Sequence, residues 1–128
     1  MTAMTEWTRA ELDTVGGAEE IEVASRRRDG SLRDPVTVWV VRHGDDLYVR
    51  SAVKGRNAAW FRTVQETHEG RLSAGRTTKD VRFVDADPAL NDEVDAAYRM
   101  KYRRYAGRIL NSCLTPEARS TTLKVDPR

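Results

Sequence analysis

Residues 36–51 read Val36-Thr-Val-Trp-Val-Val-Arg42, His43-Gly-Asp-Asp46 and Leu47-Tyr-Val-Arg-Ser51, and this stretch decides the fold. Two largely apolar runs flank a turn that contains Gly and Asp, which is the pattern of an antiparallel hairpin. Val36 to Arg42 is apolar on both faces, so we expect a central strand covered on each side. A second hairpin precedes it, because the strand Ile21 to Ser25 runs into the turn Arg28-Asp-Gly-Ser31.

The flanking segments predict helices between and around the strands. The spacing Thr8-Arg-Ala-Glu11 predicts a capping box and a first helix that ends at Gly16-Gly17. Asn57 is expected to cap a second helix, which carries Trp60 and is ended by Gly70. Asp87-Pro88 opens a third, whose tyrosines share one stripe. Further strands are predicted over residues 71–74, 78–85 and 121–125.

Six strands arranged as hairpins, with helices around them, predict an α+β fold built on an antiparallel sheet or a small barrel. A length of 128 residues without repeats or linkers fits one domain, residues 1–128. The longest apolar run, Val38 to Val41, is too short to span a bilayer, and the N-terminus lacks a signal-peptide pattern. We therefore expect a cytoplasmic protein without membrane contact.

Cysteine and histidine give no catalytic or metal-binding pattern. The single cysteine, Cys113, excludes an internal disulfide framework and a multi-cysteine metal site. His43 and His68 are far apart and lack metal-ligand spacing. We expect no bound metal, and the sequence assigns no catalytic residue.

The basic residues are concentrated locally. The chain carries 22 Lys and Arg against 20 Asp and Glu, yet residues 47–65 contain no acid. That segment holds Arg50, Lys54, Arg56 and Arg62. Such a block indicates either a local anionic partner or a solvated basic loop.

A second basic stretch, Tyr98-Arg-Met-Lys-Tyr-Arg-Arg-Tyr105, interleaves aromatic and basic residues as nucleic-acid-binding segments do. Its tyrosines fall on one helical stripe, which favours packing with a basic outer face. A net charge of only +2 also argues against nucleic acid as the main partner.

The order of these motifs resembles the split-barrel flavin and deazaflavin oxidoreductase superfamily. The resemblance rests on the basic hairpin, Arg33-Asp-Pro35, the Gly-Asp-Asp turn, Leu47-Tyr-Val-Arg-Ser51, Gly55 and Trp60. Over residues 5–127 the chain is most similar to a small bacterial family of unassigned function within that superfamily. The implied fold is a six-stranded antiparallel split β-barrel with flanking helices.

The resemblance implies an oxidoreductase that uses FMN or a deazaflavin coenzyme on a small organic substrate, and a homodimer. The matching positions for the cofactor phosphate are Arg33, Ser51, Lys54, Gly55 and Arg56. Thr37 and Trp39 match the region of the cofactor ring, although for Trp39 packing against a helix or at a dimer interface is favoured over ring contact, because aromatic residues mostly serve burial. The chain has Thr63 where characterised deazaflavin enzymes usually have Asn. The alternative is a cofactor-free split-barrel protein that binds or transforms a small anionic metabolite.

Overall fold

A computed structural model describes residues 6–128; residues 1–5, which the single-domain prediction included, lie outside the described residues. The helices are α1 (Arg9–Gly17), α2 (Ala59–Thr67), α3 (Asn91–Lys101), α4 (Arg108–Asn111) and α5 (Pro116–Arg119). The strands are β1 (Ile21–Ser25), β2 (Val36–Val38), β3 (Val40–His43), β4 (Asp46–Val49), β5 (Glu69–Ala74), β6 (Thr77–Asp85) and β7 (Leu123–Pro127). Within residues 6–128, no helix is long and apolar enough to cross a membrane.

The strands form one antiparallel sheet in the order β2-β1-β5-β6-β7-β4-β3. Its two terminal strands, β2 and β3, are consecutive in the chain and are separated only by Trp39. The sheet therefore curls into a nearly closed barrel. We call the break between β2 and β3 at Trp39 the seam.

The predicted α+β fold is confirmed, but the count of six strands is wrong because Val36 to Arg42 splits at the seam. Val38 pairs with Ile21 of β1, whereas Val40 pairs with Val49 of β4. At the break, the Val40 N–H donates to the Tyr102 hydroxyl at 3.1 Å. The segment is also not central, since its two halves are the terminal strands of the sheet.

The apolar faces of β3 supply two different cores. Val40 lies inside the barrel with residues such as Leu72, Val81 and Phe83, beneath α1 and α2. Val41 lies in a second cluster, with tyrosines of α3 and its C-terminal end. The double-sided pattern of this stretch is therefore explained by the barrel interior on one side and α3 on the other.

The helix predictions hold at α1 and need correction at α2. Thr8 and Glu11 form the predicted capping box. Helix α2 begins after Ala58 rather than Asn57, and it ends at His68, whose φ is +58°. Gly70 lies inside β5, where an added Cβ would stand 2.5 Å from the Ala24 carbonyl oxygen. Gly70 is thus needed for close strand packing rather than for a helix stop.

Candidate functional site

A groove of about 690 Å³ lies beside the seam, and its volume falls within the 300–1,000 Å³ typical of ligand sites. Its walls come from β2, the loop after β4, the start of α2 and the α4 region. Apolar and aromatic side chains make up much of the lining, including Val36, Val38, Trp39, Ala58, Trp60 and Ile109. Such a surface suits a flat, largely apolar ligand.

The structure brings five of the seven predicted cofactor residues to this groove: Arg33, Thr37, Trp39, Ser51 and Lys54. Gly55 and Arg56 do not line it. Both lie in a 3₁₀ turn, Gly55–Asn57, behind the groove wall.

Polar groups in this turn are largely engaged within the protein. The Ser51 hydroxyl donates to the Gly55 carbonyl oxygen at 2.6 Å. The Arg56 guanidinium donates to the Ser120 carbonyl oxygen at 3.0 Å, and its backbone N–H donates to Glu117. Gly55 has φ of +53°, and an added Cβ would collide with the Glu117 carboxylate. These residues therefore shape the loop that carries Lys54.

Two cations of the groove remain available for a ligand. Within residues 6–128, no side-chain hydrogen bond or ion pair engages the Arg33 guanidinium or the Lys54 ammonium. Arg33 follows the β1 hairpin, and its backbone N–H donates to the Ser25 carbonyl oxygen at 2.9 Å. Lys54 is exposed on the loop after β4. A third cation, Arg27, also lines the groove.

Arg50, which the sequence placed in the basic block, is buried and fully engaged. Its Nε donates to Thr122 Oγ1 at 2.9 Å. One terminal nitrogen donates to Asp95 Oδ1 at 2.5 Å and to the Cys113 carbonyl oxygen at 2.8 Å. The other donates to the backbone and side-chain oxygens of Asn91, both at 3.3 Å. All five N–H donors are used, so Arg50 has none left for a ligand.

The inner side of the groove adds residues that sequence reasoning had not assigned to the site. Tyr98 and Cys113 are buried and line it. Burial raises the pKa of the Tyr98 phenol well above its ordinary value, and it also raises the pKa of the Cys113 thiol. Both groups therefore keep their protons near neutral pH. The tyrosine stripe on α3 was the sequence signal that drew attention to Tyr98, but it predicted packing and not a place in the site.

Trp39 serves packing and also borders the groove. Its ring stacks on Tyr102, with centroids 3.8 Å apart and planes within 2°. It also lies 5.2 Å from the Tyr105 ring. The end of α3 therefore fixes the orientation of this wall of the groove.

The two histidines lie outside the groove. His43 Nε2 is 3.0 Å from Glu93 Oε1, and His68 Nε2 is 3.8 Å from Asp85 Oδ1. In the part of the chain that the structure describes, no three His, Cys, Asp or Glu side chains form a metal-binding group.

A model of the bacterial family described as "uncharacterized protein conserved in bacteria" (DUF2255) matches residues 11–125. The chain belongs to this family. No curated protein matches the sequence. The family match agrees with the sequence resemblance, which indicated a small bacterial family.

Solved structures share the fold of this DUF2255 chain at low sequence identity. HutZ, the heme storage protein from Vibrio cholerae, has a TM-score of 0.62 at 14% identity, covering 87% of this chain and 82% of HutZ. An F420 reductase has a TM-score of 0.55 at 17% identity, covering 95% and 94%. The FAD and heme binding protein from Mycobacterium smegmatis has a TM-score of 0.53 at 16% identity, covering 96% and 67%. The DUF2255 chain therefore has the split-barrel fold found in flavin-, deazaflavin- and heme-binding proteins.

Proposed function

We propose that this protein binds FMN or a deazaflavin coenzyme in the groove and acts as an oxidoreductase on a small organic substrate. One observation carries the proposal: two cations that have no side-chain hydrogen bond or ion pair among residues 6–128, Arg33 and Lys54, line a largely apolar groove of cofactor size. A phosphate needs such cations, and a flavin-type ring needs such walls. The occurrence of the fold in an F420 reductase and in an FAD and heme binding protein supports it.

The proposal assigns a task to several residues in and near the groove. Arg33 and Lys54 hold the phosphate, and Gly55 shapes the loop that presents Lys54. Thr37 and Trp39 border the cofactor ring. When bound, the cofactor supplies hydride chemistry, while the protein supplies binding, orientation and exclusion of water. Tyr98 keeps a phenolic proton on the inner side of the groove, where it can donate a hydrogen bond.

A second candidate function is a cofactor-free protein that binds or transforms a small anionic metabolite. The observation that favours it is the internal use of Ser51 and Arg56. With these groups engaged, the groove offers fewer phosphate contacts than the sequence predicts. A smaller anion that needs only Arg33 and Lys54 would still fit.

Titration of the purified protein with FMN and with the deazaflavin coenzyme tests the proposal through quenching of cofactor fluorescence. We expect micromolar binding of one cofactor. Removing both cations, in an Arg33→Ala/Lys54→Ala variant, should weaken binding by about 2–4 kcal/mol through loss of charge-assisted contacts.

Arg62→Ala is the control for these variants, because Arg62 is exposed on α2 and does not line the groove. The Arg62→Ala variant should bind the cofactor with the affinity of the wild type. Failure of both cofactors to bind at millimolar concentration would refute the oxidoreductase proposal. The cofactor-free protein that binds or transforms a small anionic metabolite would then be the remaining candidate.

We also propose that the protein is a homodimer, as the superfamily resemblance implies, and that it is cytoplasmic. Two large apolar side chains at the groove, Val53 and Ile109, are 87% and 57% exposed. A second copy that covers them would also enclose the groove.

A further inference from the structure

Lys101 lies at the seam, next to Tyr102. Its ammonium donates to the Val40 carbonyl oxygen at 2.6 Å and stands 5.1 Å from the centre of the Tyr102 ring. The side chain is partly buried. Among residues 6–128, no carboxylate oxygen comes within 4.0 Å of this ammonium. A carbonyl and a ring face compensate burial of a positive charge less well than a carboxylate does.

The other three lysines of the chain have different surroundings. Lys79 Nζ is 2.8 Å from Glu11 Oε2, and Lys124 Nζ is 3.6 Å from Asp126 Oδ1. Lys54 is exposed. Lys101 alone among the four combines partial burial with the lack of a carboxylate partner in the described structure.

The chemical consequence of this burial is a more readily available neutral amine. Burial lowers the pKa of Lys101 to about 8, against the opposing attraction of Glu19. At pH 7.5 such a pKa leaves about a quarter of the amine neutral, compared with about a thousandth for an ordinary lysine. The neutral form is the nucleophile.

A cavity of about 440 Å³ borders Lys101 and carries positive charge. Lys101, Arg103 and Arg104 line it, with Glu19 as its single acid. Arg104 is paired with Glu19 and with Tyr105. Arg103 donates one hydrogen bond to the Met100 carbonyl oxygen and retains further N–H groups. This arrangement attracts a small electrophile that bears negative charge.

We propose that Lys101 is an acyl-acceptor site whose substrates are small acyl phosphates. The ammonium first loses a proton to solvent. The neutral amine then attacks the acyl carbon, an amide bond forms, the bond from the acyl carbon to the phosphate oxygen breaks, and inorganic phosphate leaves with the second amine proton. Arg103 attracts the phosphate group. The step requires no oxidant or further cofactor.

Acylation would act on the seam and thereby on the groove. It removes the charge of Lys101 and places an acyl group beside Tyr102. The Tyr102 ring supports Trp39, which forms a groove wall. The site is independent of the proposed oxidoreductase, since it requires no ligand in the groove.

Incubation of the wild-type protein with acetyl phosphate at pH 7.5, followed by site-resolved mass spectrometry, tests the proposal. The other three lysines serve as controls within the same molecule. We expect Lys101 to be acetylated about tenfold faster than Lys54, Lys79 and Lys124. The larger neutral fraction of its amine outweighs both the weaker nucleophilicity of a less basic amine and the restricted access to a partly buried side chain. Acetylation of Lys101 at or below the rate of Lys54 would overturn the proposal.

A second comparison tests the choice of an anionic acyl donor. Arg103→Gln should slow acetylation of Lys101 by acetyl phosphate severalfold, but it should not slow acetylation by uncharged acetic anhydride. Arg62→Gln, an equal loss of charge on α2, should change neither rate. Equal rates for wild type and Arg103→Gln with acetyl phosphate would contradict the assignment of acyl phosphates.

Discussion

At the scale of single residues, two cations only four positions apart have opposite roles. Arg50 is buried with all five donors used, whereas Lys54 is exposed and lines the groove. The sequence could not separate them, because both belong to the same acid-free segment. The partner of Arg50, Asp95, lies 45 positions along the chain on α3. Such a pairing is decided by the tertiary fold and leaves no local signal.

Arg50→Met should therefore destabilise the fold strongly. The substitution leaves Asp95, only 7% exposed, without the guanidinium that neutralises it, and Arg119 is its remaining cation. Breaking a buried ion pair from one side costs about 3–5 kcal/mol. Urea unfolding followed by circular dichroism measures the change. Lys54→Ala, the control, should stay within about 0.5 kcal/mol of wild type. Equal stability of the two variants would contradict the role assigned to Arg50.

At the scale of secondary-structure elements, the local sequence signal was right at the start of α1 and wrong at the start of α2. Thr8 and Glu11 stand three residues apart, and the predicted capping box forms. The prediction that Asn57 caps α2 was wrong, since the chain makes a 3₁₀ turn there before the helix. Gly70 was misassigned because its neighbours, Ala24 and Phe83, come from other strands. Contacts between strands that are distant in the sequence, such as those around Gly70, therefore could not be predicted from local patterns.

Glu11 also links α1 to β6, and this link predicts that the stability of the fold depends on pH. Its carboxylate accepts from Lys79 of β6 at 2.8 Å and from the Thr8 N–H at 2.9 Å. These hydrogen bonds lower the pKa of Glu11 below its ordinary 4.5. A carboxyl whose pKa is lower in the folded state stabilises the protein above the unfolded-state pKa. That stabilisation disappears as the pH falls through the folded-state pKa.

Glu11→Gln should accordingly cost about 1 kcal/mol at pH 7, through loss of one charge-assisted pair. The difference in unfolding free energy between Glu11→Gln and wild type should be constant down to about pH 5.5 and should shrink below about pH 4.5. Chemical unfolding at several pH values from 3 to 7 measures it. Glu22→Gln, on the exposed face of β1 and without a side-chain hydrogen bond or ion pair among residues 6–128, is the control and should stay within about 0.5 kcal/mol of wild type at pH 7. A difference that persists unchanged at pH 3 would contradict the link.

At the scale of the whole molecule, hairpin turns predicted the strand pairs but not how the sheet closes. The chain passes from one terminal strand of the sheet to the other through Trp39. The stacking of Trp39 on Tyr102 stabilises this passage and joins residues 63 positions apart. The apolar pattern on either side of Trp39 predicts one continuous strand, not two. The same closure creates the groove, so the sequence pointed to five of its lining residues but not to the surface that they form.

The groove leads to a prediction about assembly. Val53 and Ile109 expose large apolar side chains at its edge, and a homodimer would bury them. We expect the wild type to sediment as a dimer at micromolar concentration. Glu at both positions, in a Val53→Glu/Ile109→Glu variant, should give a folded monomer, because both side chains are already in water in a single copy.

Met100→Glu is the matched control for this experiment. Met100 is 68% exposed and lines the Lys101 cavity rather than the groove. Its variant should remain dimeric, which separates loss of a specific contact from a general effect of added charge. A wild type that sediments as a monomer, or a double variant that stays dimeric, would show that the groove is not the interface. In a dimer through the groove, the double variant should also lose affinity for the cofactor, since the second copy would no longer exclude water from it.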